Sequence, residues 1–185
     1  MTALWILLGA FAIGLIWFVA AYNSLVSLRN QVDEAWSNVE TELKRRYDLI
    51  PNLVNTVKGY ASHERELLEK VTALREQAVQ TTGDAAEQAK VESMLQGALR
   101  QLMVRLEAYP DLKANQNFLE LQRELANTED RIQAALRFYN GNVRELNNRI
   151  QQFPSNVVAG MFHFTEREFF ELEDEAARQA PQVQF

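Results

Sequence analysis

The groups that might do chemistry are few. The only histidines are His63 and His163, far apart in the chain. His63 opens the run His63, Glu64, Arg65, Glu66, Leu67, whose first residues match a zinc-protease motif in which two imidazoles one helical turn apart hold the metal and the Glu serves as base. Leu67 stands where the second imidazole is required, so the motif fails and His63 reads as a surface residue. With no Cys anywhere, thiolate nucleophiles, disulfides and Cys-based metal sites are excluded. Neither His has a Glu three residues before it, as a di-iron carboxylate bundle requires. Gly-rich phosphate loops, nucleophile elbows and calcium loops are missing too. An enzyme would need a concealed group, such as Glu64 or Glu66 acting with Tyr47 in a cleft. The chain reads as a non-enzyme with no metal or cofactor.

The densest polar stretch is Lys44, Arg45, Arg46, Tyr47 and Asp48. One reading pairs Arg45 or Arg46 with Asp48 and with acidic residues of a neighbouring helix. The other sends these cations to anionic lipid headgroups or an acidic partner, although three basic residues fall short of the about four to eight that lipid recognition usually takes. A formal charge of −6 argues against nucleic acid as a partner, because phosphate neutralisation needs a basic face.

The elements that must carry these groups are helical. The 185 residues suit one domain of ordinary size, and 47 % of them are apolar against 7 Gly and 4 Pro, which disfavours disorder and loop-rich β folds. From Ala3 to Tyr22 no side chain is charged, and the first charge is Arg29. Roughly 20 residues at 1.5 Å each match the hydrocarbon thickness of a bilayer. Trp5, Trp17 and Tyr22 stand where interfacial aromatics are expected, and Ala10 and Gly14 form a small-xxx-small pair. A cleaved signal peptide competes, with Val19 and Ala21 before the cut. It is disfavoured because there is no basic leader and the apolar run exceeds the usual h-region of about 7 to 15 residues. Residues 1–22 therefore read as an uncleaved membrane anchor. The N-terminal flank has no Lys or Arg, whereas the C-terminal flank has Arg29 and then, somewhat beyond the roughly 15 to 20 residues over which the positive-inside rule acts, Lys44, Arg45 and Arg46, which leans the soluble part toward the cytoplasm.

Beyond the anchor, Leu25, Leu28, Val32, Trp36, Val39, Leu43, Tyr47 and Ile50 recur every three or four residues, an amphipathic helix. Pro51 interrupts, and the stripe resumes through Val54, Val57, Ala61, Leu68, Val71 and Leu74. The chain either turns at Pro51 or kinks, and a tight turn with a second helix from Pro51 to about Val79 is preferred. A third helix carries Val91, Leu95, Ala98, Leu102, Leu106 and Tyr109 until Pro110 and Asp111. The fourth carries Phe118, Leu125, Ile132, Tyr139, Leu146 and Phe153, with Leu121, Leu136, Val143 and Ile150 between them. The fold expected is all-α, with an antiparallel up-and-down four-helix bundle over residues 23–153. A parallel coiled-coil dimer through the last helix is the alternative use of its stripe. Residues 154–185 form an aromatic and acidic tail with Phe162, Phe164, Phe169 and Phe170, together with Glu166, Glu168, Glu171, Glu173, Asp174 and Glu175. The tail is expected to be a short helical segment whose aromatics cap the bundle end or meet another chain.

The anchor followed by Tyr22, Asn23, Ser24, Leu25 and Val26, then Val32, Asp33, Glu34, Ala35 and Trp36, the run Lys44 to Val54 (KRRYDLIPNLV) and its continuation Lys58 to Glu64 (KGYASHE) resemble the LemA family of bacterial membrane proteins. Tyr139, Asn140, Phe153, Pro154, Phe169 and Phe170 extend the likeness toward the C-terminus. The resemblance implies a single-pass protein whose soluble part is an antiparallel four-helix bundle, with no catalytic residues. It also implies an accessory or scaffolding part in envelope maintenance, near membrane proteases or other envelope proteins.

Two functions follow as expectations. The first is a non-enzymatic scaffold or adaptor anchored in the bacterial inner membrane, acting by homo-oligomerisation or by binding a membrane protease or other envelope protein. Its interaction residues would be Lys44, Arg45, Arg46, Tyr47, Asp48, Phe162, Phe164, Phe169 and Phe170. The alternative is a membrane-surface remodelling or sensing protein whose amphipathic helices lie on the lipid bilayer.

Overall fold

The computed structural model describes residues 2–81, 83 and 85–172. All regular structure among them is helical: α1 Thr2–Lys58, a 3-10 turn Ser62–Glu64, α2 Arg65–Gln80, α3 Ala85–Leu106, α4 Pro110–Lys113, α5 Gln116–Gln151 and α6 Ser155–Met161. Glu173, Asp174 and Glu175 of the expected acidic tail lie outside the described residues.

The chain divides into two compact units, one of residues 1–38 and 137–167, the other of residues 39–136 and 168–185. In the first, the buried apolar side chains include Leu25, Val32 and Ala35 of α1, Tyr139, Val143 and Leu146 of α5, and Val158 and Ala159 of α6. Trp36 and Tyr139 meet ring to ring at 5.2 Å, tilted by 56°, an arrangement aromatic quadrupoles favour. In the second, Leu43, Ile50, Leu53 and Val57 of α1 are buried, as are Leu68 and Val71 of α2, Leu95 and Leu102 of α3, Phe118 and Ile132 of α5, and Phe170. These positions follow the three-and-four spacing of the sequence.

The apolar start of α1 is the one described segment long and apolar enough to cross a membrane, and none of it is buried within the protein. A core helix of a soluble domain is largely buried. This one offers its whole circumference, with Leu4, Ile6, Phe11, Ile13 and Ile16 all exposed, as a lipid-facing helix does.

Two expectations are corrected. No turn forms at Pro51: α1 runs through it to Lys58, and the chain turns instead at residues 59–61, before α2 starts at Arg65. The proline is tolerated because the carbonyl it deprives of an N–H donor, that of Tyr47, accepts from Arg75 Nε at 2.7 Å. The α5 stripe also does not reach Phe153. The helix ends at Gln151, since Pro154 disfavours helical geometry at the residue before it, and Phe153 is 82 % exposed.

Two residues of positive φ set the connections. Gly83, at φ +109°, lies between α2 and α3 in a conformation that side chains other than hydrogen resist. His163, at φ +55°, ends α6 in a left-handed turn in which the Phe164 amide donates to Ala159 O at 3.0 Å.

Candidate functional site: a buried charge cluster and an aromatic ladder

The polar stretch of α1 splits by helical phase. Lys44, Arg45 and Asp48 are exposed, whereas Arg46 and Tyr47 share the inward face with Leu43 and Ile50. Arg46 is only 2 % exposed. It donates from Nη2 to Glu92 Oε2 of α3 and from Nη1 to Glu129 Oε2 of α5 at 3.0 Å. The Tyr47 hydroxyl donates to Glu92 Oε1 and accepts from Gln88 Nε2 at 3.1 Å. Gln88 Nε2 also reaches Glu92 Oε1 at 3.1 Å and Ala78 O at 3.2 Å. Glu129, about one-third exposed, accepts in addition from Gln96 at 2.6 Å and Gln133 at 3.2 Å.

Glu92 is fully buried, so its charge is tolerable only because a guanidinium, a phenol and an amide converge on it. Burial pulls the Arg46 pKa below the ordinary guanidinium value, opposed by the nearby Glu129 and Tyr47. Burial likewise pushes the Tyr47 phenol up, opposed by Arg46 and by the hydrogen bond from Gln88. Arg46 Nε is buried with no hydrogen-bond partner among the described residues. Beside it a groove of about 300 Å³ is lined by Gln96, Arg100, Gln122 and Glu129 among others. Near the surface, Glu42 pairs with Arg45 at 3.6 Å and with Arg131 at 4.0 Å.

The sequence marks Arg46 and Tyr47 and pairs Arg45 or Arg46 with Asp48 and with unnamed acidic residues of a neighbouring helix; Arg46 meets Glu92 of α3 and Glu129 of α5, and Arg45 meets Glu42 of its own helix. The signal for Glu92 was available: Gln88, Glu92 and Leu95, spaced by four and three, place a carboxylate on the apolar face of α3. Nothing local marks Glu129.

Of the aromatics, Phe162 and Phe164 fall in the first unit and Phe169 and Phe170 in the second. The Phe162 ring lies 6.0 Å from Phe18 and 4.6 Å from Tyr22. Phe164 is 6.0 Å from Tyr22, edge-on, and the Arg29 guanidinium stands 5.5 Å over its face. Arg167 then pairs with Asp33 at 2.8 Å. A two-way clasp holds this segment to α5: Asn147 Nδ2 donates to Arg167 O at 2.8 Å and the Arg167 amide donates to Asn147 Oδ1 at 2.9 Å. Phe170 is buried, while Phe169 is exposed. Both histidines are exposed, and no cluster of three metal-ligating side chains occurs among the described residues.

These features define an all-helical protein with an apolar N-terminal helix and a buried polar cluster in its second unit. The LemA family model matches residues 35–185, and the chain belongs to the LemA family. Protein LemA of Metamycoplasma hominis is 30 % identical to it, over 80 % of this chain and 68 % of that protein. Magnetosome protein MamQ 2 of Paramagnetospirillum magneticum is 25 % identical over 81 % of this chain. Magnetosome protein MamQ of Magnetospirillum gryphiswaldense is 24 % identical over 80 %. The chain spans 64 % of the length of each of these two MamQ proteins.

Proposed function

We propose that the protein is a non-enzymatic, membrane-anchored helical scaffold or adaptor of the bacterial cell envelope, working by self-assembly or by binding a membrane protein partner. The observation that carries this reading is α1 itself. Its first part is fully exposed and apolar, and the same unbroken helix goes on to supply Arg46 and Tyr47 to a buried polar cluster. A module so anchored loses less freedom on lateral association than a free one, so modest contacts suffice. The reading includes an antiparallel up-and-down four-helix bundle for residues 23–153 and insertion in the inner membrane with the soluble part in the cytoplasm. Family membership and the likeness to magnetosome proteins support a structural role over catalysis.

The test is the mass of the full-length protein in native lipid discs, with identification of what copurifies after mild cross-linking. A defined homo-oligomer or a stoichiometric membrane partner is expected. A lone monomer with nothing attached overturns the proposal.

A further inference from the structure

No Asp, Glu, Lys or Arg occurs between Arg149 and Glu166, in a chain of which 24 % is charged. The middle of that stretch is α6, whose Ser155, Val158 and Ala159 are buried. Its other face presents Val157 and Met161, flanked by Phe153 and Phe162, all exposed.

The ring contacts fix the level of this face along α1. Phe162 touches Phe18 and Tyr22, the residues at which the apolar run ends. From there the chain runs along α1 away from that boundary, with Phe164 at Arg29 and Arg167 at Asp33. Arg29 stands about 10 Å beyond Tyr22 along the helix axis, the depth of lipid headgroups. The first carboxylate after the uncharged stretch, Glu166, comes beyond Phe164 on the same path.

We propose that α6, with Phe153 and Phe162, is a second membrane contact, lying in the interfacial layer of the bilayer beside the spanning part of α1. The inference rests on the reading of that part as a membrane anchor. Lipid is the occupant because the exposed face is continuous with the apolar run through Phe18 and Tyr22. It also carries no Asp, Glu, Lys or Arg, whose charges would resist burial against the acyl boundary, while the uncharged amides of Asn156 and Gln152 can hydrogen-bond at the hydrated headgroup level.

The absence of native Cys permits single-site labelling of the full chain. Val157→Cys, Met161→Cys, Ile13→Cys and Arg123→Cys variants would each carry a fluorophore in phosphatidylcholine and phosphatidylglycerol discs containing shallow doxyl lipids. Labels at 157 and 161 are expected to be quenched by doxyl lipid several-fold more than the label at 123, and to resist aqueous iodide. Iodide access at 157 and 161 equal to that at 123, with the label at 13 still lipid-quenched, overturns the inference and leaves the anchor standing. Labels at 157 and 161 shielded from both quenchers overturn it in favour of a protein cover. A label at 13 open to iodide overturns the anchor and the inference together.

Discussion

The Nε–H of Arg75 in α2 points at the main-chain carbonyl of Tyr47 in α1, 2.7 Å away, and so occupies the acceptor that Pro51 cannot serve. A proline inside a helix removes one main-chain bond and costs about 3 kcal/mol or more. Here a side chain 28 residues beyond the acceptor Tyr47 replaces the lost donor. Arg75→Met is therefore expected to destabilise the protein by about 1–3 kcal/mol. In a Pro51→Ala background the same change should cost markedly less, because an alanine N–H at position 51 reaches the Tyr47 carbonyl itself. Urea unfolding of the four proteins of this cycle measures the coupling, and equal costs in the two backgrounds would refute the compensation.

Arg46 and Glu92 should behave as a buried pair. Arg46→Ala strands the fully buried Glu92 carboxylate and is expected to cost about 3–5 kcal/mol. The triple change Arg46→Met, Glu92→Leu and Tyr47→Phe removes charge and hydroxyl together. It should lie within about 1–2 kcal/mol of the parent protein, since well-packed apolar replacements of buried ion pairs are often neutral. Unfolding by circular dichroism decides between this and a cost that simply accumulates.

The Tyr47 phenol is held above its ordinary pKa by burial, so the folded state favours the neutral form. That contribution is fully present below the unfolded phenol's pKa of about 10 and is lost as pH rises through the folded value. Stability measured from pH 8 to 11 should fall more steeply for the parent than for Tyr47→Phe. Parallel curves would show that the phenol does not titrate with unfolding.

Asn147 holds the segment after α6 through both faces of its amide. Asn147→Ala deletes two hydrogen bonds, of which one acceptor and one donor then need new partners, at about 1–3 kcal/mol. The Arg167 amide is expected to exchange faster with deuterium in this variant. Asn147→Asp, which keeps the acceptor for that amide and loses the donor, should exchange at a rate in between.

The helices were legible in the sequence where a stripe is long. Leu125, Ile132, Tyr139 and Leu146 are all buried, as their spacing requires. Phe153 belongs to the same arithmetic yet lies past the helix end, because the proline after it outweighs periodicity. Pro51 misled in the opposite sense: its local preference for a break is overridden by Arg75, a partner that no local window contains. The charge cluster was half legible. Arg46 and Tyr47 stood out as a polar run, but α3 and α5 bring Glu92 and Glu129 to them only through long-range packing. The low charge of α6 was readable from composition, whereas its level beside Tyr22 follows from ring contacts alone.

Asp33 and Arg167 are 134 residues apart in the chain, and Phe18 and Phe162 are separated still further. During synthesis at about 5–20 residues per second, the ladder between these positions cannot close until roughly 7 to 27 s after Asp33 has been made. Phe18, Tyr22 and Arg29 thus leave the ribosome well before their partners, and the first unit is completed only when residues 137–167 follow. A chain that stops short of Phe162 would leave Phe18 and Tyr22 without the ring that packs on both of them.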